Sequence, residues 1–214
     1  MLLHKMKHKQ GGFTLIELMF TVLVLAVLLA IGIPNFRDFL RNSRMAAQAN
    51  DLLSAVNLTR SEAVKRRTPV TLCSGTVADN CDADADLADG WFVFVDVNGD
   101  GDVDAGEDVL REHGSLPGAI QAAFVETADA EDEDAPAFGD SETRYFSFGP
   151  GGFRRMNDGS MPVALGLVLC DARGNVQTAG GPDMSAARAV ELTTSGRAVV
   201  TRSIDRIEAL GGCP

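Results

Sequence analysis

The chain has 214 residues, 45% of them hydrophobic and 23% charged, with 8 Pro and 22 Gly, which excludes a disordered or collagen-like polymer and suffices for one modest globular domain. Nineteen Lys and Arg stand against 30 Asp and Glu for a formal charge of -11, and Lys5, Lys7 and Lys9 all precede the first apolar run, so the rest of the chain is more acidic still, at -14. A body of that charge repels nucleic acid phosphates and anionic lipid unless its arginines gather on one face.

Residues 1–12, MLLHKMKHKQGG, form a basic, acid-free leader that the positive-inside rule keeps in the cytoplasm while the following chain is translocated. Phe13 to Ile33 gives 21 positions of which only Thr14, Glu17, Thr21 and Gly32 are not strongly apolar. As a helix rising about 1.5 Å per residue it measures roughly 31 Å, the thickness of a bilayer's hydrocarbon layer. It ends in Ile33-Pro34-Asn35-Phe36, which lacks the small-residue pattern of a secretory cleavage site. Glu17 is a lone carboxylate inside this span, and a charge there is costly enough to mark a functional position.

These residues, KQGGFTLIELMFTVLVLAVLLAIGIPNF, closely resemble the class III signal of type IV pilins and of the pseudopilins of type II secretion. The resemblance implies that a membrane-embedded prepilin peptidase cuts after Gly12 and methylates the new amine of Phe13. It also implies that Glu17, fifth residue of the mature chain, pairs with the α-amino group of a neighbouring subunit, a cation that makes a buried carboxylate tolerable.

Beyond Pro34, Phe39, Ala46, Ala49, Leu53, Val56 and Ala63 recur at helical spacing while charged residues take the other faces, which predicts an amphipathic helix with one packing stripe. Pro34 is expected to kink this helix and Thr68-Pro69 to end it. Short β-branched or aromatic runs follow at Pro69 to Cys73, Trp91 to Val95, Val109 to Arg111, Arg144 to Phe148, Val163 to Cys170, Ala189 to Thr193 and Arg197 to Arg202. Glu126 to Asp140, centred on Glu131-Asp132-Glu133-Asp134, reads as an acidic surface loop. The predicted class is α+β, a type IV pilin-like long helix on an antiparallel sheet domain. Its divisions are a leader at 1–12, a transmembrane half-helix at 13–34, an amphipathic half-helix at 35–68 and a periplasmic β-rich domain at 69–214.

Cys73, Cys81, Cys170 and Cys213 contain no CxxC pair, which argues against zinc and thioredoxin-like chemistry. An even number outside the cytosol suggests two disulfides. Of three possible connectivities, proximity favours Cys73 with Cys81 and Cys170 with Cys213. His113 is the one histidine outside the leader, too few for a histidine-based triad or zinc site, so no catalytic residue is expected. Asp96 to Glu107, DVNGDGDVDAGE, has oxygen side chains at positions one, three, five, nine and twelve and Gly at six, the pattern of a calcium loop. The candidate ligands are Asp96, Asn98, Asp100, the Asp102 carbonyl and Glu107. Its flanks read as strands, so a plain hairpin turn remains the alternative, and no cofactor is required.

The body resembles the GspH/FimT group of minor pilins and pseudopilins through Ser61-Glu62-Ala63-Val64-Lys65-Arg66-Arg67, Gly90-Trp91-Phe92-Val93-Phe94-Val95-Asp96, Leu169-Cys170-Asp171-Ala172-Arg173-Gly174 and Ser195-Gly196-Arg197. That resemblance implies an inner-membrane subunit that moves to a filament tip and helps to start or cap a type II secretion pseudopilus or a type IV pilus, with other pilins or pseudopilins as partners. FimT-like members carry a C-terminal Gly-Arg-x-Arg motif that contacts DNA. Here Gly196-Arg197-Ala198-Val199 lacks the second arginine, so DNA as a partner is the alternative reading and depends on Arg197, Arg202 and Arg206 sharing a face.

Overall fold

A computed structural model describes residues 12–81, 86–126, 145–155, 165–178, 180–193 and 195–214. The acidic segment after Glu126, to Asp140, and the leader before Gly12 lie outside the described residues. Two compact units divide the chain between Asn42 and Ser43, and α1 (Leu15–Arg66) contributes to both.

In the first unit α1 continues through Pro34 without a break. Proline supplies no N–H to the carbonyl four residues back. The next residue, Asn35, adds a side-chain bond to the Ile31 carbonyl at 2.9 Å. The apolar side chains of this unit are bare, from Leu15 at 78% exposed to Ile33 at 45%, and the helix is long and apolar enough to cross a membrane.

In the second unit α1 presents Met45, Ala49, Leu52, Ala55, Val56, Thr59 and Ala63 to the core. The stripe expected from sequence is partly displaced: Ala46 and Leu53 are only half-buried and Phe39, in the first unit, is 65% exposed. The buried set keeps the alternating steps of three and four but lies about one residue around the helix, at Met45 and Leu52 in place of Ala46 and Leu53. The helix ends at Arg66, and Arg67 takes φ 57° ahead of Thr68-Pro69, where helical geometry is disfavoured.

Among the described residues nine strands follow: β1 (Val70–Ser74), β2 (Trp91–Val95), β3 (Val109–His113), β4 (Gln121–Glu126), β5 (Tyr145–Phe148), β6 (Arg154–Arg155), β7 (Leu165–Cys170), β8 (Met184–Leu192) and β9 (Ala198–Ser203), then α2 (Ile204–Ala209). They form two antiparallel sheets, ordered β3-β2-β1-β5-β6 and β4-β7-β8-β9. Strand alternation explains the layering. Leu72, Val93, Phe146 and Phe148 of the first sheet meet Phe124, Leu167, Leu169 and Val190 of the second over the stripe of α1. Cys73, Phe92 and Phe94 face the opposite side of the first sheet, covered by Val77, Val103 and Tyr145. On the second sheet Val125, Val168, Ala187 and Ala189 are covered by Ile207 and Leu210 of α2 and its C-terminal flank.

Candidate functional site

At the start of α1, Thr14 and Glu17 bond reciprocally. The backbone N–H of Glu17 donates to Thr14 Oγ1 at 3.3 Å, and the N–H of Thr14 donates to Glu17 Oε2 at 3.5 Å. This is a capping box, which satisfies two of the N–H groups a helix leaves orphaned at its first turn and sets a carboxylate at the positive end of the helix dipole. The signal was available in sequence as Thr-x-x-Glu, but Glu17 drew attention there as a lone carboxylate in an apolar span and through the resemblance, not as a cap. Gly12 and Phe13 precede the helix outside regular secondary structure. Phe13 is 82% exposed, and open space surrounds the position where a Cβ would stand on Gly12.

In the second unit a polar cluster helps to tie α1 to the first sheet. Asp51 on α1 pairs with Arg111 and, at 3.1 Å, with His113 Nε2, both on β3. Arg111 also donates to Ser54 Oγ at 3.2 Å and lies 5.1 Å from the ring centroid of Trp91, on which the His113 ring stacks. His113 Nδ1 contacts the Gly114 carbonyl, so the imidazole is engaged at both nitrogens and flat against the indole. At the far end, Arg60 donates to the carbonyl of Gly196 at 3.0 Å. The Arg111 and Arg60 contacts were missed in sequence because their partners are 60 and 136 residues distant.

Between β2 and β3, Asp96 is fully buried while Asn98, Asp100 and Asp102 are exposed and Glu107 is half-buried. Glu107 reaches back to accept from the Val97 N–H at 2.6 Å and the Asp104 N–H at 3.0 Å. Cys73 is bonded to Cys81, and Cys170 to Cys213.

The three C-terminal arginines have different settings. Arg206 is held by Glu191, and Arg202 donates to Thr178 Oγ1 at 3.0 Å. Arg197 is exposed just before β9, and its odd spacing from Arg202 puts the two on opposite faces of extended chain. A different arginine is buried here. Arg188 is 5% exposed, and its Nη1 donates to the carbonyls of Ser185, Ala186 and Ala187 at 2.7–3.1 Å, where β8 departs from regular pairing. Burial pushes its pKa down to about 10, and the charges of Arg202 and Arg173 add to that shift while Asp171 opposes it.

Residues 48–198 match the family described as type II transport protein GspH, and residues 7–33 match the prokaryotic N-terminal methylation motif. The type IV major fimbrial protein FimA of Dichelobacter nodosus is 36% identical over 78 residues, which is 36% of this chain and 42% of the relative. Prepilin peptidase-dependent protein D of Escherichia coli K12 is 41% identical over 66 residues, 31% of this chain and 38% of the relative. The chain thus spans about two fifths of the length of these curated relatives. Among solved structures, the type IV minor pilin FimU of Pseudomonas aeruginosa PAO1 aligns with TM-score 0.49 and 18% identity over 76% of this chain and 92% of its own. The minor pseudopilin EpsH from the type 2 secretion system of Vibrio cholerae aligns with TM-score 0.42 and 11% identity, over 74% and 97%.

Proposed function

The chain belongs to the type II transport protein GspH family, and on that premise we propose that it is a minor pilin or pseudopilin that initiates or caps a type II secretion pseudopilus or a type IV pilus. The observation that carries the reading is the bare apolar half-helix with a single carboxylate at its capped start. In the bilayer, lipid covers that surface. In a filament, the half-helices of neighbouring subunits cover it, and the exchange costs little because both environments are apolar.

Glu17 supplies register. Surrounded by apolar helices its charge requires a cation, and cleavage between Gly12 and Phe13 creates one, the amine of Phe13 on an adjacent subunit. Until then the Thr14 N–H holds the carboxylate. The acidic second unit remains outside the membrane and needs no catalytic residue for this work. Prepilin peptidase, other pilins or pseudopilins and the inner membrane are the partners this scheme requires.

Mass spectrometry of the chain isolated from its native membrane tests the processing step. The expected mature product begins at N-methylated Phe13, having lost residues 1–12. Recovery of the intact chain from cells that process their other prepilins would overturn the reading.

A further inference from the structure

We propose that the loop Asp96–Glu107 between β2 and β3 binds a single calcium ion through Asp96, Asn98, Asp100, the Asp102 carbonyl and Glu107. Asp96, the first residue past β2, is wholly buried. Its Oδ2 accepts from the Thr71 hydroxyl at 2.8 Å and from the Gly101 N–H at 3.2 Å. The second donor belongs to the loop itself, so the carboxylate faces the loop's interior. Its other oxygen, Oδ1, is buried there without a hydrogen-bond partner. A buried carboxylate oxygen in that state is costly, and a cation beside it removes the cost.

The rest of the loop supplies what such a cation needs. Oxygen side chains stand at positions one, three, five, nine and twelve, and Gly101, at position six, takes φ +89°, the sharp turn for which that position requires glycine. The Asn98 amide nitrogen bridges the carboxylates of Asp100 at 2.7 Å and Asp104 at 2.9 Å, two donors holding together charges that a divalent ion would hold more strongly. Turning that amide over presents its oxygen instead. Glu107, at position twelve, is already folded back over the loop's second residue.

Positions seven and eight are fixed from outside the loop. Asn80, within the segment closed by Cys73 and Cys81, donates to Asp102 at 3.3 Å and accepts from the Val103 N–H at 2.6 Å, while Val103 packs on Cys73, Phe92 and Phe94. Among the described residues no three carboxylates, imidazoles or thiolates already converge on one point. Binding therefore draws Asn98, Asp100 and Glu107 toward the Asp96 oxygen. Arg155 packs against Gly99 and adds a positive charge at the rim. Both features favour a weak site, with Kd on the order of 10⁻⁴–10⁻³ M as in extracellular calcium modules. Flexible carboxylate and carbonyl oxygens select calcium over the more demanding magnesium.

The test uses the full chain in nonionic detergent, stripped with a chelator and titrated with calcium chloride by calorimetry, with thermal unfolding followed through Trp91. The expected result is saturable uptake of one ion per chain, a raised midpoint, weaker binding of magnesium, and at least tenfold weaker calcium binding in both Glu107→Gln and Asp100→Asn. Both residues lie outside the buried core, and comparing the melts of each variant in chelator and in calcium separates loss of the ion from loss of the loop's own hydrogen bonds. Absence of saturable uptake at roughly ten times that concentration range overturns the proposal. So does uptake unchanged in both variants, since the ion then sits on the general acidic surface.

Discussion

Gly196 shows how a motif residue acquires a physical reason. It sits in the turn between β8 and β9 at φ +79°, and an added Cβ would stand 2.7 Å from the Gly152 carbonyl oxygen and 2.7 Å from a ring carbon of Phe148. Gly196-Arg197-Ala198-Val199 was compared in sequence with a DNA-contacting motif; in the structure the glycine leaves room for Gly152 and Phe148, and its carbonyl receives Arg60 of α1. Gly196→Ala is expected to cost about 2 kcal/mol, lowering the thermal midpoint by roughly 4–8 °C in a chain of this size. Fluorescence of Trp91, the single tryptophan and fully buried, reports that midpoint. A second residue makes stability depend on pH. Hydrogen bonds from Arg66 and Lys65 hold the Glu62 carboxyl below the ordinary glutamate range. A depressed acid contributes stability that is present above its unfolded pKa and lost as pH falls through its folded one. Glu62→Gln is therefore expected to lower the midpoint by roughly 1–2 °C at neutral pH, a small effect because Lys65 and Arg66 are solvent-exposed. The difference from the parent chain should vanish once pH drops below the carboxyl's folded pKa, as paired melts across acidic pH would show.

Among the elements, the strands legible in sequence were those whose composition matched their setting. Trp91-Phe92-Val93-Phe94-Val95 is apolar throughout and is buried on both faces of β2. By contrast β8 reads Met-Ser-Ala-Ala-Arg-Ala-Val-Glu-Leu, rich in good helix formers, and only its end was recognised. Position overrides propensity here, because β8 lies between β7 and β9 with the main core on one side and α2 on the other. The alanines of β4 concealed that strand in the same way, and the two-residue β6 is too short to leave a pattern. The helix α2 was missed because six residues show no periodicity. Its place depends on the Cys170–Cys213 bond, which ties the C-terminal flank to β7 across 43 residues. A loop of that size is worth about 4 kcal/mol in chain entropy. Cys213→Ser is expected to lose a large part of that figure and to raise hydrogen exchange in Ile204–Ala209 before it affects β1 and β2. Equal loosening of all three elements would show that α2 is not a separable layer.

At the scale of the whole molecule, the sequence divides its labour at Asn42. The N-terminal unit exposes its apolar residues and sets one carboxylate, Glu17, at the start of its helix, and the C-terminal unit buries its apolar residues around two sheets. The exposed apolar half-helix was legible, since 21 nearly uninterrupted apolar positions need no tertiary information to interpret. The pairing of the two sheets was not, because it depends on contacts between strands remote in sequence. This division separates assembly from folding: substitution of Glu17 should leave the Trp91-reported unfolding of the second unit unchanged while abolishing incorporation into a filament.

The most direct measurement is made in a deletion strain of the source bacterium complemented with either the parent chain or Glu17→Ala, scoring secreted enzymes in the medium and filaments at the surface. The account predicts that deletion impairs enzyme release or piliation, that the parent chain restores it, and that Glu17→Ala reaches the membrane folded but does not. Restoration by Glu17→Ala as complete as by the parent chain, or a deletion without effect on either process, would contradict it.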